Sequence, residues 1–439
     1  MELETITHLA AGERGIPGNL PLVTLDKKTL DVKKLISLAH EHKLTNALFS
    51  SMKGVSVTKN LNLTPENHKI FETYKIKALL EKTSRTFMVK EALNICNTLN
   101  TSDIPALIIK GPILSLQLYG SPVVREYTDI DIVVHSQDFL KIDKVMHTLG
   151  YGADPESQLK QFNHLENTRP YIQRAHIQKP HHIVYKNPTH PYRIEIHNKL
   201  FIDSSFSEEY KLKNIFSRTE PLHYNDSAYT AINKTDHLLF MIAHGTKHAW
   251  SQLHWVLDAA AMLASDDTAL HKEIINGCVR LHLEKHLVLT VMLVTELLPI
   301  PIPSAYQELI EKHQKYLKKQ KAIALKMLRS PNTIRPSILH TLHFAWNYAA
   351  PLALTFKEKL HIILNPFKAS PADIEQLKLP GWLAPLHLVV RPFFVLSRRT
   401  RKRETVSPDK GIMSGPDYWS WQLRCNCGRR EERKEGGDR

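Results

Sequence analysis

Apolar positions along the chain recur at two different periods, and the change between them divides it. In residues 31–52, Val32, Leu35, Ile36, Leu38, Ala39 and Leu44 fall at helical spacing behind Asp31, a residue suited to an N-cap. A second helical stretch is predicted from Pro65 to Leu99, with the proline in the first turn. The pattern then shortens. Ala106-Leu-Ile-Ile109 reads as a buried strand running into a Lys110-Gly111 turn, and Pro112 to Tyr119 as a short helix stopped by Gly120-Ser-Pro122. Asp129-Ile-Asp-Ile-Val-Val134 is a second strand. Asp138 to Leu149 is helical and ends at Gly150-Tyr-Gly152. Residues 153–180 are polar and without a clear period, and His182–Tyr185 and Tyr192–His197 are strands joined through Asn187-Pro188. Helical spacing returns from Ser227 to Leu364. The fold class expected is α+β: a small mixed sheet with helices, between two helical regions. The partition expected is a helical region over 1–99, an α+β core over 100–225, a helical domain over 226–364, an apolar and basic segment over 365–403, and a disordered tail over 404–439.

Composition narrows the class without deciding it. The 439 residues suffice for two or three domains, and 42% hydrophobic with 23% charged residues is ordinary for a soluble globular chain. A formal net charge of +14 favours anionic partners such as nucleotides, nucleic acid or acidic lipid. Four cysteines, Cys96, Cys278, Cys425 and Cys427, are too few and too scattered for a disulfide framework. The opening MELETITHLAAGERG has no basic region followed by an apolar core, so no secretory leader is expected. The longest uncharged stretch, Pro336–Phe356, contains His340, His343, Asn347 and Pro351, which are costly in lipid, and reads as a buried helical region rather than a span. A reducing, cytoplasmic location follows from these readings.

The chemistry concentrates in the short central strands. Asp129 and Asp131, two apart in an apolar strand, project from the same face. Carboxylates converging there repel one another unless a cation sits between them, and a hard divalent ion that takes oxygen ligands meets that need. Nucleotidyl and phosphoryl transfer often use two such ions about 3.5–4 Å apart. Glu195, in Tyr-Arg-Ile-Glu-Ile-His197, is the candidate third acid, because alternation places Arg193, Glu195 and His197 on one strand face. An isolated pair of aspartates would only line the wet side of a half-exposed strand. Here Lys110, Gly111 and Arg125 add what a triphosphate needs: close backbone approach, a point charge and a bidentate donor.

Together Ile109-Lys-Gly111, Leu118-Tyr-Gly120, Arg125 and Thr128-Asp-Ile-Asp-Ile-Val133 resemble the signature of the uncharacterised nucleotidyltransferase family, within the polymerase-β-like nucleotidyltransferase superfamily. Glu195-Ile-His197 resembles its acid-x-His strand, and His244-Gly-Thr-Lys-His248 with Leu253-His-Trp-Val-Leu-Asp258 its helical signature. The resemblance covers about residues 30–403. It implies a polymerase-β-like core and metal-dependent transfer of a nucleoside monophosphate from a nucleoside triphosphate to an acceptor hydroxyl or phosphate. Asp129, Asp131 and Glu195 would then be catalytic metal ligands for two Mg²⁺ or Mn²⁺ ions. Lys110, Gly111 and Arg125 would hold the phosphates, and His197, His244, Lys247 and His248 would border the cleft or the acceptor. The Lys-Gly pair stands further upstream of the acids than the glycine turn usual in the superfamily.

Other features have plainer readings. His244 and His248 share a helix face, but no adjacent acid gives a zinc-protease arrangement. Trp255 reads as core, and Asp258 as a partner for a histidine or lysine. Cys425-Asn-Cys427 has no second pair to complete four metal ligands. Arg398-Arg-Thr-Arg-Lys-Arg403, following the apolar run from Trp382 to Leu396, resembles a weak membrane-surface anchor that would set the chain against the inner face of a membrane. Pro385 and Pro392 interrupt any amphipathic helix there, so packing on the body is preferred. The alternative function is a non-catalytic nucleotide-binding or membrane-peripheral scaffold. A scaffold has no need of three converging acids.

Overall fold

A computed structural model of the chain describes residues 2–16, 31–51, 65–153, 182–190, 192–200, 212–224, 227–329 and 338–364, with positions 383, 386 and 390. The polar stretch at 154–180, Cys425, Cys427 and almost all of the apolar and basic segment therefore lie outside the described residues. The N-terminal region contains helices α1 (Glu2–Glu13), α2 (Val32–Glu41), α3 (Thr45–Ser51) and the long α4 (Pro65–Thr101). Asp31 caps α2, its Oδ1 accepting from Lys34 N at 3.0 Å. The single helix expected over 31–52 is broken at Lys43, whose φ is 55°. The reason is tertiary: buried His42 accepts from Leu253 N and bonds the Leu328 carbonyl through its other nitrogen, which fixes the chain where the helix would continue. At the far end of α4, Asn100 Oδ1 accepts from Ala106 N at 3.0 Å and starts the first strand.

Five strands form one mixed sheet: β1 (Ala106–Ile109), β2 (Asp129–Val134), β3 (Gly152–Ala153), β4 (His182–Lys186) and β5 (Arg193–His197), in the order β1-β2-β5-β4-β3. The fold is α+β as expected. The central pair, β2 and β5, is parallel, and its register sets Asp129 opposite Arg193, Asp131 opposite Glu195 and Val133 opposite His197. Alternation then divides the sheet by chemistry. Ile130, Ile132, Ile194 and Ile196 are fully buried on one face, and the acids of both strands stand on the other. Helix α5 (Gly111–Tyr119) follows β1 directly, and α6 (Phe139–Thr148) follows β2.

After α7 (Leu212–Phe216), the strands β6 (Glu220–Tyr224) and β7 (Ser227–Ala231) pair as a separate antiparallel hairpin. It spans the expected core boundary at 225, and helix begins only at α8 (Lys234–Lys247), where Asn233 accepts from Thr235 N and Asp236 N. The helices α9 (Leu253–Leu263), α10 (Thr268–Arg280) and α11 (Glu284–Leu297) pack on α8 and one another, with α12 (Gln307–His313) and α13 (Lys318–Arg329) beyond. Gly245 in α8 admits the Trp250 ring; a Cβ there would stand 2.8 Å from it. The uncharged stretch becomes α14 (Ile338–Phe344), a wide turn of helix over Ala345–Ala349, and α15 (Ala350–Leu352), followed by α16 (Phe356–Leu364). Phe344, Ala345, Tyr348 and Leu352 are buried, and the Tyr348 hydroxyl donates to the Thr246 carbonyl. No helix among the described residues is long and apolar enough to cross a membrane. Contacts of α1 and α5 with α9 bring the chain's N-terminus, its sheet and its helical part together.

Candidate active site

Asp131 is the centre of the acid face. It is 3% exposed, and its Oδ1 receives Lys110 Nζ at 2.9 Å and His197 Nε2 at 2.8 Å. Burial pushes its carboxyl pKa up, but Lys110 and His197 outweigh that and hold it well below the usual carboxylate range. Since an ionised carboxylate only accepts, His197 carries its proton on Nε2 and donates it. Burial keeps His197 itself below the ordinary histidine value, against the pull of Asp131. Glu195 Oε2 lies 3.7 Å from His197 Nε2. Burial, followed by the charges of Asp129 and Asp131, pushes Glu195 up to about 7. Asp129 stands at the strand's more open end, where Arg193 Nη2 is 3.9 Å from its Oδ2 and 3.7 Å from Glu195 Oε1.

The turn between β1 and α5 delivers Lys110. Its φ of 55° and ψ of −143° fall where glycine is favoured, a conformation that costs about 1–3 kcal/mol. Two anchors hold it. The Lys110 N–H donates to His237 Nε2 at 2.9 Å, and Nζ reaches Asp131. Accepting through Nε2 leaves His237 with its proton on Nδ1, which donates to Gln117 Oε1 at 2.6 Å. Burial, with Arg125 and Lys110 adding, lowers His237 to about 3, so it is neutral and keeps this tautomer. Gly111, at φ 33°, turns the chain straight into α5. His237 was not among the residues singled out from the sequence. The available signal was spacing, since 237, 244 and 248 repeat on one face of α8.

Arg125 takes a different position from the acids. Its Nε donates to Asp258 Oδ2 at 2.7 Å, and Asp258 Oδ1 accepts from the Tyr119 hydroxyl at 2.8 Å and from Arg14 Nη1 at 3.2 Å. Asp258 is fully buried and Arg125 5% exposed. Asp258 thus binds two arginines and a tyrosine rather than the histidine or lysine expected. Arg14, on the turn after α1, carried no signal in the sequence because its partner lies in α9.

His244 and His248 are half-buried, with ring centroids 4.6 Å apart. Both rings meet Trp255, at 5.3 and 5.6 Å, and Phe240 lies 5.6 Å from His244. Lys110 Nζ is 5.7 Å from the Phe240 ring, so this aromatic group begins beside the acid face. Burial and then Lys110 hold His244 well below the ordinary histidine value. Trp255 is partly exposed rather than sealed in the core, and Lys247 stands half-buried at the last turn of α8.

The model of an uncharacterised nucleotidyltransferase family matches residues 28–299. The chain belongs to that family. Neither the curated proteins nor the solved structures compared with it yielded a match.

For a nucleotidyltransferase the donor set can be tested against a divalent cation. Among the described residues, ligand atoms of Asp131, Glu195 and His197 lie within 4.8 Å of one another, a group able to hold an ion. Oxygens of Asp131 and Glu195, with Asp129 on the same strand face, are the hard donors that Mg²⁺ and Mn²⁺ take. His197 fits the site in two ways, as a nitrogen ligand or as the residue that orients Asp131. The residues present fit the ion that nucleotidyltransferases generally use. The family's matched span also takes in Lys110, Gly111, Arg125, His237, His244, Lys247 and His248.

Proposed function

We propose that this nucleotidyltransferase moves a nucleoside monophosphate from a nucleoside triphosphate to an acceptor hydroxyl or phosphate, with Asp129, Asp131 and Glu195 as ligands for one or two Mg²⁺ or Mn²⁺ ions. One observation carries the reading: the parallel β2–β5 register sets buried Asp131 against half-buried Glu195, converging acids on one sheet face. A divalent ion bound there supplies positive charge for the phosphate oxygens in the transition state. His197 holds Asp131 in position. Lys110, on its strained turn, offers an ammonium beside the acids, and Gly111 lets backbone approach phosphate closely. An acceptor oxygen attacks the α-phosphorus, its proton passes to an acid of the site or to solvent, and pyrophosphate leaves. His244, Lys247, His248 and Trp255 form the wall that would receive the acceptor or the base, where planar rings stack well. Arg125 serves this reading through the fold, because its Nε joins the loop before β2 to Asp258.

The test is incubation with each α-labelled nucleoside triphosphate, Mg²⁺ or Mn²⁺ and a cell extract, followed by a search for label on any acceptor. Label that appears with wild type and not with Asp131→Asn supports the reading. Equal labelling by both proteins, or none with any nucleotide, overturns it.

A further inference from the structure

Arg193 occupies the open end of the acid face. It pairs across the register with Asp129, and its Nη2 lies between Asp129 Oδ2 at 3.9 Å and Glu195 Oε1 at 3.7 Å. Deeper in, Lys110 Nζ holds Asp131 at 2.9 Å. Every carboxylate of the group therefore faces a cationic side chain. The two cations differ in grip. Lys110 is fixed through its backbone to His237 and sits close to its acid, whereas the Arg193 side chain is 43% exposed and both its ion pairs are long. Water screens such contacts, so the guanidinium can swing outward without unpacking the core.

A divalent ion meets carboxylate oxygens at about 2.0–2.6 Å, in the space that the Arg193 guanidinium faces. The two positive charges would compete for the same lone pairs. A guanidinium released from its carboxylates stays tethered at the mouth of the site, and its planar fork suits phosphate oxygens. We propose that Arg193 is a place-holding cation: it neutralises Asp129 and Glu195 while these acids hold no metal, and transfers to the phosphates of the nucleotide once a metal takes the acids. This rests on the nucleotidyl-transfer reading. It makes Arg193 a phosphate ligand whose availability depends on the metal being in place first.

Such an exchange predicts effects of opposite sign from one substitution. Calorimetric titration of the full chain would measure Mn²⁺ affinity without nucleotide, and then affinity for α,β-methylene analogues of the common ribonucleoside triphosphates at saturating Mn²⁺. Arg193→Gln should bind Mn²⁺ several-fold tighter, since the competing charge is gone, and the analogue about tenfold weaker, the loss of a charge-assisted contact. Arg193→Lys should return Mn²⁺ affinity to near wild type and recover only part of the analogue binding. Thermal unfolding close to wild type checks that the exposed side chain is not needed for the fold. Unchanged Mn²⁺ affinity in Arg193→Gln, or weakening of both ligands, overturns the exchange while leaving nucleotidyl transfer standing. A wild-type protein that binds neither Mn²⁺ nor any analogue overturns both.

Discussion

Two charged clusters lie at the two ends of α5, where Lys110 precedes the helix and Tyr119 closes it, built from the same kinds of residue and opposite in design. Around Asp258, both carboxylate oxygens are engaged: two arginines and a tyrosine donate to them, and the acid is sealed from water. On the acid face, carboxylates crowd one another, the outer cation is loosely held, and Glu195 is pushed up to about 7 by burial and by Asp129 and Asp131. The first arrangement has nothing left to offer a ligand. The second is held by Lys110 and by the loosely placed Arg193, which a divalent cation can displace from Asp129 and Glu195. Residue type does not separate structural from functional charge here; balance and burial do.

That contrast can be broken most sharply at Asp131. Asp131→Asn should reduce transfer by about a thousandfold or more, as metal-supported charge stabilisation is worth several kcal/mol. Its unfolding temperature should move by less than about 4 °C, because a like charge leaves the acid face as well as a partner of Lys110. Steady-state rates and a melting curve on one preparation check both halves. If the variant is instead inactive only because it is unfolded, the face is structural.

Asp258→Ala should show the reverse. Removing the acid leaves Arg14 and Arg125 buried without their counter-charge, a loss of about 3–5 kcal/mol of stability. Below the melting temperature, Mn²⁺ affinity should stay within about twofold of wild type, consistent with additivity at separated sites. Urea unfolding and metal titration measure the two terms. A large loss of metal affinity at full stability would join the clusters into one site.

The acid face should also titrate. The Glu195 pKa is raised, so below about 7 the metal-free carboxyl holds a proton that an incoming cation must displace. Metal affinity should therefore rise with pH up to about 7 and level off above it, falling by up to about tenfold per unit on the acid side. Calorimetry at several pH values, in buffers of different ionisation enthalpy, reads both the slope and the released proton. A flat profile would remove Glu195 from the ligands.

The smallest effect is expected at His237, which touches neither the acids nor solvent. His237→Phe should weaken metal or nucleotide binding by about tenfold, the usual cost of losing a residue that orients a ligand. His237→Gln, which can still accept from Lys110 N, should recover part of it. Equal losses in both variants would make the imidazole ring itself, rather than the Lys110 turn, the important feature.

Much of the acid face was legible because it depends on local geometry. Period-two alternation in Asp129–Val134 and Tyr192–His197 is enough to put Asp129 with Asp131, and Glu195 with His197, on single strand faces. The Lys110-Gly111 turn was legible for the same reason, and the family signature spans these short motifs. Arg125 reads as a phosphate donor from its residue type and its place in the family signature. Its partner Asp258 belongs to α9, and no local rule connects them. The break at Lys43 and the bond from His237 to Lys110 were hidden likewise, since each is imposed by contacts between distant helices.

By itself, the sequence determined which residues share a strand face, because the side-chain period of a strand is a covalent consequence of its backbone. It determined the cap at Asp31 in the same way, through a side chain that reaches only its own helix. Only the tertiary structure decided that β2 lies parallel to β5, so that Asp131 meets Glu195, and that α1 and α5 meet α9, so that Arg14 and Arg125 share Asp258. These pairings depend on the burial of whole helices and strands. That energy is summed over many apolar contacts far apart in the chain, and no short window of sequence contains it.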